Sequence, residues 1–446
     1  MKAGVAHVDV TPPVGCWILG PVAQSTGVHD PLMARALVLD DGKTKVAILG
    51  IDLIGMGWEL ADELNGLIRE KAGVDVVLLQ FSHTHSAPFP PTWMTSIYKR
   101  DIELLADWRD GLRESLPRIV KEAADSATPV ELRAGRAKVQ VGFNRRVVGD
   151  NGFVHMAVNE DGPVVPWTDV LGVYHEDGSP MAVLYGHAAH PVIVHAASTE
   201  ISADYPGFAA ARIREKLGPD VMPIFVQGCG ANINGHPLAK GFDEAKAAGD
   251  KLGDAVAAAL ESADVIQADS LTTVTKRVDL PCIDFPPREE VQAKLDKANA
   301  QIAEQAEGGQ AWLGACDEIE AMTDLLGMMD FGERPDFRLA MAMVSLGKEW
   351  GMVSFSGEVF CEYQLWIDEN APFAHTFVGA YANNFGGYIA CDADLAMGDK
   401  GGYEAGCWPT MSCALIVPTR VALQVGIEEI IRSAVRDMWA TVQNDE

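Results

Sequence analysis

Two histidines spaced two residues apart are the side chains in this sequence that most directly suggest chemistry. His83 and His85 follow the apolar run 74–79, which is typical of a buried strand. Because residues two apart on an extended chain point to the same face, both imidazoles should lie together where the strand ends. Such a pair suits a metal site or acid–base catalysis. Two hydrogen-bonded structural histidines at a strand edge would give the same pattern, so this pair alone does not identify a functional site.

Three further predicted strands also end in polar residues. His190, the pair Asn232 and Asn234, and Glu358 each follow an apolar, strand-like segment. Sites in α/β proteins gather at strand ends, on loops carried by a rigid sheet, so these side chains could converge with the two histidines. Two histidines, a carboxylate and one more oxygen donor make a plausible zinc site with room for a water. Zinc lowers the pKa of such a water and polarises a substrate carbonyl.

Strand-like and helix-like segments alternate along the chain, which predicts a mixed α/β fold with sheets covered by helices and an active site at the strand ends. Turn-forming residues at 40–43 and 176–180 predict two hairpins. We find no repeat or linker, and therefore expect one domain spanning residues 1–446. Apolar residues at helical spacing predict helices at 57–71, 97–127, 205–216, 242–263, 287–307 and 419–442, and residues 308–335 fit neither pattern.

The composition narrows the class of protein and its partners. With 35 Lys and Arg against 63 Asp and Glu, the formal charge of −28 argues against nucleic acid and anionic lipid as partners. The longest apolar region, residues 46–58, is too short to span a bilayer, so we expect no membrane insertion. The first residues do not resemble a secretion signal, which indicates a cytoplasmic protein. Cys391, Cys407 and Cys413 are close enough in sequence for a soft-metal site, although ordinary small residues would look the same.

The order and context of the polar segments resemble those of the neutral, non-lysosomal ceramidase family. The most specific matches are SHTHSAP at 82–88 and the combination of HP at 190–191 with ISADYPG at 201–207. Further matches lie at 29–32, 144–146, 227–234, 357–358, 387–389 and 402–405, so the resemblance extends from near residue 8 to the last predicted helix.

The resemblance implies a zinc-dependent amidase domain that binds one zinc ion and cleaves an N-acyl bond. It places His85 and Tyr403 near the scissile carbonyl and its developing oxyanion, where hydrogen-bond donors commonly lower the barrier. Glu358 or a neighbour could accept the proton of the attacking water. Arg145 matches a segment that contacts substrate, and we group Asn232 and Asn234 with it as substrate-binding candidates. The implied metal ligands are His83, His190, Glu358 and Tyr388.

Other polar residues near these segments receive different interpretations. Asp204 could orient His190 as a hydrogen-bond partner behind the ligand. His187 lies on a predicted strand and His195 in a predicted loop, and we expect both to be structural. His85 could likewise support a ligand instead of contacting the substrate.

Three departures from the family pattern bear on the substrate. Asn234 occupies the place of a serine that the ceramidases carry, so no serine nucleophile stands there and metal-activated water is the better attacking group. We also expect neither the family's C-terminal immunoglobulin-like domain nor a secretion signal. Long-chain ceramide is therefore not the expected substrate.

The sequence thus predicts a cytoplasmic zinc hydrolase that uses metal-activated water to cleave an amide or N-acyl bond of a small substrate. One alternative is a zinc-dependent esterase or lactonase, or another hydrolase of a cyclic metabolite, because the same electrophile serves both kinds of bond. The other alternative is a non-catalytic binding protein on the same scaffold. Neither the acyl-chain length nor the oligomeric state can be read from the sequence.

Overall fold

The structure of the protein is a computed structural model that describes residues 1–88, 103–306, 309–332, 337–384, 386–406 and 421–443. Part of the predicted helix 97–127 and the start of the predicted last helix lie outside the described residues, as do Cys407 and Cys413. Within the described ranges, helices alternate with mixed sheets, which confirms the predicted α/β class.

The helices and strands have the following bounds. The described helices are α1 (Trp58–Ala72), α2 (Ala106–Asp125), α3 (Asp204–Leu217), α4 (Phe242–Glu261), α5 (Arg288–Ile302), α6 (Gln310–Phe331), α7 (Cys361–Asn370), α8 (Asp392–Leu395), α9 (Gly402–Ala405) and α10 (Ile427–Gln443), with 3-10 turns at His195–Ala197 and Gly398–Lys400. The described strands are β1 (Lys2–Asp9), β2 (Trp17–Ile18), β3 (Ala23–Gln24), β4 (Gly27–Val28), β5 (Met33–Asp40), β6 (Lys45–Ile51), β7 (Val76–Phe81), β8 (Thr128–Lys138), β9 (Gly142–Val148), β10 (Val154–Asn159), β11 (Trp167–His175), β12 (Pro180–His187), β13 (Glu200–Ile201), β14 (Met222–Gln227), β15 (Ile233–Gly235), β16 (Asp264–Ile266), β17 (Leu271–Leu280), β18 (Phe337–Leu346), β19 (Trp350–Phe355), β20 (Glu358–Val359), β21 (His375–Gly379) and β22 (Tyr388–Ile389).

The larger sheet carries the histidines of the predicted site at its strand ends. Within the described part of the chain it contains nine strands, in the order β14-β12-β11-β8-β1-β5-β6-β7, with β16 paired to β8. Most neighbours are antiparallel, whereas β6 with β7 and β12 with β14 run parallel. The sheet bends so that β14, at one end of this order, packs against β6 and β7 at the other end. Gly50 permits this approach, since an added Cβ there would lie 2.9 Å from the carbonyl oxygen of Phe225.

A second sheet carries the carboxylate and tyrosine of the predicted site. Its described strands have the order β17-β18-β19-β21, and the short parallel pair β20 and β22 follows from the ends of this sheet. One cluster of buried apolar side chains connects the two sheets, reaching from Leu79 in β7 to Phe355 in β19 and Val435 in α10. Each such side chain contributes about 1.5–3 kcal/mol by leaving water, so the cluster holds the strand ends of both sheets together.

Several predicted elements are confirmed and others differ. The helices predicted at 205–216, 242–263 and 287–307 correspond to α3, α4 and α5, and the hairpin predicted at 176–180 joins β11 to β12. Residues 308–335, which fitted neither pattern, contain α6. The single domain over residues 1–446 stays a prediction. In the described ranges, no helix combines the length and the apolar character that crossing a membrane requires.

Candidate metal-binding active site

A tight turn after β7 brings His83 and His85 together. All six residues of β7 are buried, and the backbone N–H groups of Ser82 and His83 donate to the carbonyls of Ile51 and Leu53 over 2.9 Å each. The strand ends before His83, whose φ of 66° places the two histidines on a turn. Their ring centroids are 5.0 Å apart, with an interplanar angle of 80°. The predicted pairing of the rings is therefore confirmed, whereas its predicted cause, alternation along an extended strand, is wrong.

His190 joins these two histidines from the loop after β12. Its backbone N–H donates to the carbonyl of Ile233 over 2.9 Å, and His190 forms an isolated parallel bridge with Asn234. Because β12 and β14 are parallel neighbours, the loops that follow them leave the sheet side by side. The ring centroid of His190 lies 4.9 Å from that of His83 and 5.6 Å from that of His85. Three imidazoles thus form one cluster.

Glu358 and Tyr388 enter the same region as directly paired residues of the β20–β22 ladder. Gly357, just before Glu358, has a φ of 78°, and an added Cβ there would lie 2.9 Å from the carbonyl oxygen of Gly387. Glycine is the residue that adopts this conformation without steric cost. The backbone N–H of Glu358 donates to the same Gly387 carbonyl over 2.8 Å. The Gly-Glu pair in the sequence therefore has a steric cause.

The tautomers of two histidines leave two lone pairs facing a carboxylate. Nδ1 of His83 lies 2.6 Å from the carbonyl of Ile54, and Nδ1 of His190 lies 2.8 Å from that of Gly230. A carbonyl only accepts, so each Nδ1 carries a proton, and Nε2 is the unprotonated nitrogen in the neutral form of either ring. These Nε2 atoms lie 3.5 Å (His83) and 3.0 Å (His190) from Oε2 of Glu358. Three acceptor atoms converge, and a cation between them stabilises this arrangement.

Burial and the neighbouring side chains together set the charge states of His190 and Glu358. Burial, with a smaller contribution from the nearby Arg145, lowers the pKa of His190 to about 4, so its ring is neutral. Burial alone would raise the pKa of Glu358, but the electrostatic attraction of His83 and hydrogen-bond donation from His190 outweigh burial and hold this pKa below the ordinary range. A divalent ion at the two Nε2 atoms would supply the same positive charge when the rings are neutral. Glu358 is therefore an ionised carboxylate beside the neutral ring of His190.

His85 completes the imidazole cluster. Both of its ring nitrogens are buried, and neither has a hydrogen-bond partner among the residues that the structure describes. Burial, and next the neighbouring His83, hold the pKa of His85 well below its usual value, so this ring is also neutral. His83, His85 and His190 each offer a ligand atom, and these atoms lie within 4.8 Å of one another. Imidazole nitrogens with a carboxylate are the donor set that zinc prefers, so the residues present fit a divalent ion.

A buried network of charges lies behind Tyr388. Arg145 donates from Nη2 to the hydroxyl oxygen of Tyr388 over 3.1 Å, and from Nη1 to Oδ1 of Asn234 over 3.0 Å. Its Nε donates to Glu404 over 2.7 Å, and Glu404 also accepts from Nη1 of Arg146 over 2.6 Å. The network holds Tyr388 in place beside Glu358, and it brings the predicted substrate-binding residues Arg145 and Asn234 to the site.

Two further tyrosines lie near the site, Tyr403 beside Tyr388 and Tyr381 beside His83. Tyr403 is half-buried in α9, and its ring centroid lies 5.5 Å from that of Tyr388 at an angle of 73°. Tyr381 was not predicted; its ring centroid lies 4.5 Å from that of His83, and its buried hydroxyl has no partner within the described ranges. Tyr381 follows the buried strand β21, so the rule that identified the other site residues would have found it as well.

Asn232 lies against α7, behind the imidazole cluster. Its Oδ1 accepts from the backbone N–H of Cys361 over 3.0 Å, and its Nδ2 donates to Glu362 over 2.9 Å. Both ends of the amide are occupied, so the predicted contact with substrate would require these bonds to break. Its backbone carbonyl accepts from the N–H of Arg145 over 2.8 Å, which links this loop to the network behind Tyr388.

Asp204 does not contact His190 as predicted. Its carboxylate accepts from the backbone N–H of Val194 over 2.8 Å and from that of Tyr205 over 2.6 Å. The carbonyl of Gly230 takes the orienting position at Nδ1 of His190 instead. The prediction for Asp204 is therefore wrong, and this residue ties the loop after His190 to the start of α3.

The two histidines that were predicted to be structural, His187 and His195, differ in position. His187, on β12, donates from Nδ1 to the carbonyl of Trp167 over 3.0 Å and accepts at Nε2 from the N–H of Val141 over 3.3 Å, which agrees with a structural role. His195 lies on a 3-10 turn with a φ of 39°, and its ring centroid is 5.6 Å from that of His85. The ring of His195 therefore lies beside His85, at the edge of the imidazole cluster.

Known proteins share this fold at low sequence identity. No family model matches the chain. The structure of neutral ceramidase from Pseudomonas aeruginosa is similar with a TM-score of 0.70 and 16% identity, over 99% of this chain and 74% of that chain. A ceramidase complexed with C2 is similar with a TM-score of 0.72 and 16% identity, over 100% of this chain and 75% of the other. The resemblance predicted from the sequence is confirmed at the level of the fold: the chain folds as these ceramidase structures do.

Proposed function

We propose that the protein is a zinc-dependent hydrolase that cleaves an amide or N-acyl bond. The observation that carries this proposal is the convergence of Nε2 of His83 and Nε2 of His190 on Oε2 of Glu358, three acceptors that a divalent ion would satisfy. The likeness in fold to ceramidases, a family that cleaves an N-acyl bond, supports the choice of bond. The residues that would hold the ion are His83, His190, Glu358 and Tyr388.

The chain's own residues supply the remaining chemistry. A zinc ion held at this site would lower the pKa of a bound water and polarise the substrate carbonyl. Glu358 is ionised, and we assign to its Oε1 the transfer of a proton from the attacking water to the leaving amine. His85 is neutral, and one of its ring nitrogens donates a hydrogen bond to the carbonyl oxygen as negative charge develops there. Tyr403, beside Tyr388, is the second donor to that oxygen.

The residues around the cluster favour water as the nucleophile, and we retain the small substrate that the sequence predicts. Oδ1 of Asn234 accepts a hydrogen bond from Nη1 of Arg145. Unlike a serine hydroxyl, a carboxamide does not attack a carbonyl carbon, so Asn234 cannot replace the nucleophilic serine. Arg145 and Asn234 lie beside Tyr388, and in this proposal they bind the substrate's polar groups. The formal charge of −28 disfavours polyanionic substrates, because the field of the whole chain repels them. We place the reaction in the cytoplasm, in line with the prediction from the sequence.

Hydrolysis of a matched pair of substrates tests this proposal. A short N-acyl amine and the corresponding O-acyl ester are incubated with the protein as purified, after dialysis against a chelator, and after zinc is returned. We expect amide cleavage that chelation abolishes and zinc restores. The Glu358→Gln variant should lose at least about 100-fold in kcat/KM, as expected for a lost general base and ligand, whereas the exposed Glu176→Gln control should not change.

Two outcomes would replace the proposal by one of its alternatives. Cleavage of the ester alone would indicate an esterase or lactonase. Binding of the amide, seen by calorimetry, without turnover of either substrate in the zinc-loaded protein would indicate a binding protein.

A further inference from the structure

A second group of metal-ligating side chains lies outside the site described above. Glu362, in the first turn of α7, and Cys391 and Asp394, at the start of α8, each offer a ligand atom, and these atoms lie within 4.8 Å of one another. We propose that these three side chains bind a second divalent ion of borderline softness, such as Zn²⁺. This inference goes beyond the proposed function, since the second ion would not touch the substrate.

The thiol of Cys391 is the first observation that points to an ion. Cys391 is 6% exposed, and its sulfur has no hydrogen-bond partner in the part of the chain that the structure describes. The sulfur nevertheless faces the carboxylates of Glu362 and Asp394. Burying a polar group without a hydrogen-bond partner costs free energy, because its contacts with water are lost and not replaced. A bond to a metal ion would replace them.

The charges around Glu362 are the second observation. Glu362 accepts at Oε2 from Nδ2 of Asn232 over 2.9 Å and from the thiol of Cys361 over 3.3 Å, and both donors are neutral. Among the described residues, no lysine or arginine pairs with Glu362. The carboxylates of Glu362 and Asp394 nevertheless offer ligand atoms within 4.8 Å of each other. A cation at this position would relieve the repulsion between the two carboxylates.

Asp394 has a cationic partner, and that partner still leaves room for an ion. Arg146 donates from Nε and Nη2 to Oδ1 of Asp394 over 3.1 and 2.8 Å, and it shares its charge with Glu404. Both bonds reach the same oxygen of Asp394. Two carboxylates and a thiolate would be balanced by a divalent ion together with the guanidinium of Arg146, and the thiol proton would pass to solvent when the ion binds.

The ligand atoms indicate which kind of ion would bind, and the helices that carry them indicate what the ion would do. One sulfur and two carboxylate oxygens suit Zn²⁺, whereas Mg²⁺ and Ca²⁺ prefer oxygen ligands alone. The ion would join α7 to α8. Through Asn232 on one side and Arg146 on the other, it would hold the network that positions Arg145 and Tyr388. The second site is therefore structural.

Metal analysis of four proteins tests this proposal. We expect two equivalents of zinc in the wild type and in the control Cys316→Ser, whose thiol lies on α6, and one equivalent in Cys391→Ser. We also expect one equivalent in His190→Ala, which removes a ligand of the first site only. Replacement of zinc by Co²⁺ should give the wild type and His190→Ala an absorption band from thiolate-to-metal charge transfer, and Cys391→Ser should lack that band.

The same measurements can overturn the proposal independently of the proposed function. Equal metal content in the wild type and in Cys391→Ser, with no thiolate band in the cobalt-loaded wild type, would show that the second site does not exist. Loss of metal in His190→Ala would then still support the first site. If Cys391→Ser does not fold, Asp394→Asn replaces it, and the cobalt spectrum of the wild type alone shows whether a thiolate binds metal.

Discussion

At the residue scale, the site depends on which nitrogen of each histidine carries its proton. Main-chain carbonyls of Ile54 and Gly230 hold a proton on Nδ1 of His83 and His190, so in the neutral form of each ring the acceptor is Nε2, which points to Glu358. The identity of the three acceptors could be predicted from the sequence, because each follows a strand-like segment. Their tautomers could not, since the carbonyl of Ile54 precedes His83 by a whole helix and strand.

Removal of the Tyr403 hydroxyl tests its role as a donor to the developing oxyanion. Tyr403→Phe keeps the ring that lies 5.5 Å from Tyr388, so packing should persist. We expect kcat for the amide to fall by about 100-fold with little change in KM, because the lost bond forms in the transition state. Zinc content should not change. In Tyr174→Phe, a tyrosine on β11 outside the site, kcat should match the wild type, and an unaltered kcat in Tyr403→Phe would remove this residue from the mechanism.

At the scale of elements, short turns and ladders position the site more than long strands do. His83 lies on a turn with a positive φ, and Glu358 is placed by the two-residue ladder β20–β22. Such elements carry no periodic pattern, so the sequence predicted the nearness of His83 and His85 for the wrong reason. The helix α7 was not predicted either. Its buried residues Cys361, Tyr363, Gln364 and Ile367 include a glutamine and a tyrosine, which hides the apolar stripe.

The start of α3 makes a pH-dependent contribution to stability. Burial raises the pKa of Asp204 to about 7, against an ordinary value near 3.8. Because the folded state holds this proton more tightly than the unfolded state, the contribution is complete below about pH 4 and is lost as pH rises towards 7. The free energy of unfolding should therefore fall across this window, with a slope from this group of up to about 1.4 kcal/mol per pH unit.

Urea denaturation of Asp204→Asn at several pH values between 4 and 7.5 checks this expectation. The variant should show a flatter dependence of the free energy of unfolding on pH than the wild type. It should also be less stable at pH 4, because an NH₂ group replaces one of the two carboxyl oxygens and cannot accept from the N–H of Val194 or Tyr205 that faces it, whereas a carboxyl oxygen keeps a lone pair even when protonated. The exposed control Asp161→Asn should keep the wild-type slope, and parallel curves for wild type and Asp204→Asn would contradict the assignment.

At the scale of the whole molecule, the site exists because the larger sheet bends back on itself. Strand β14 packs against β6 and β7, and this contact brings the loop that holds His190 to the turn that carries His83. The α/β class could be predicted from alternating segments, and the resemblance to ceramidases gave the order of the site residues. The contact itself could not be predicted, because it depends on close approaches such as that of Gly50 to Phe225. For the same reason, the sequence predicted the wrong hydrogen-bond partner for Asp204.

The central claim is that a zinc ion binds between His83, His190 and Glu358, and diffraction at the zinc absorption edge tests it most directly. Crystals of the zinc-loaded protein should give an anomalous difference peak about 2.0–2.2 Å from Nε2 of His83, Nε2 of His190 and a carboxylate oxygen of Glu358. A peak at the second group on α7 and α8 would not substitute for it. A fully loaded crystal without anomalous density between these three residues would contradict the claim, and with it the proposed hydrolase mechanism.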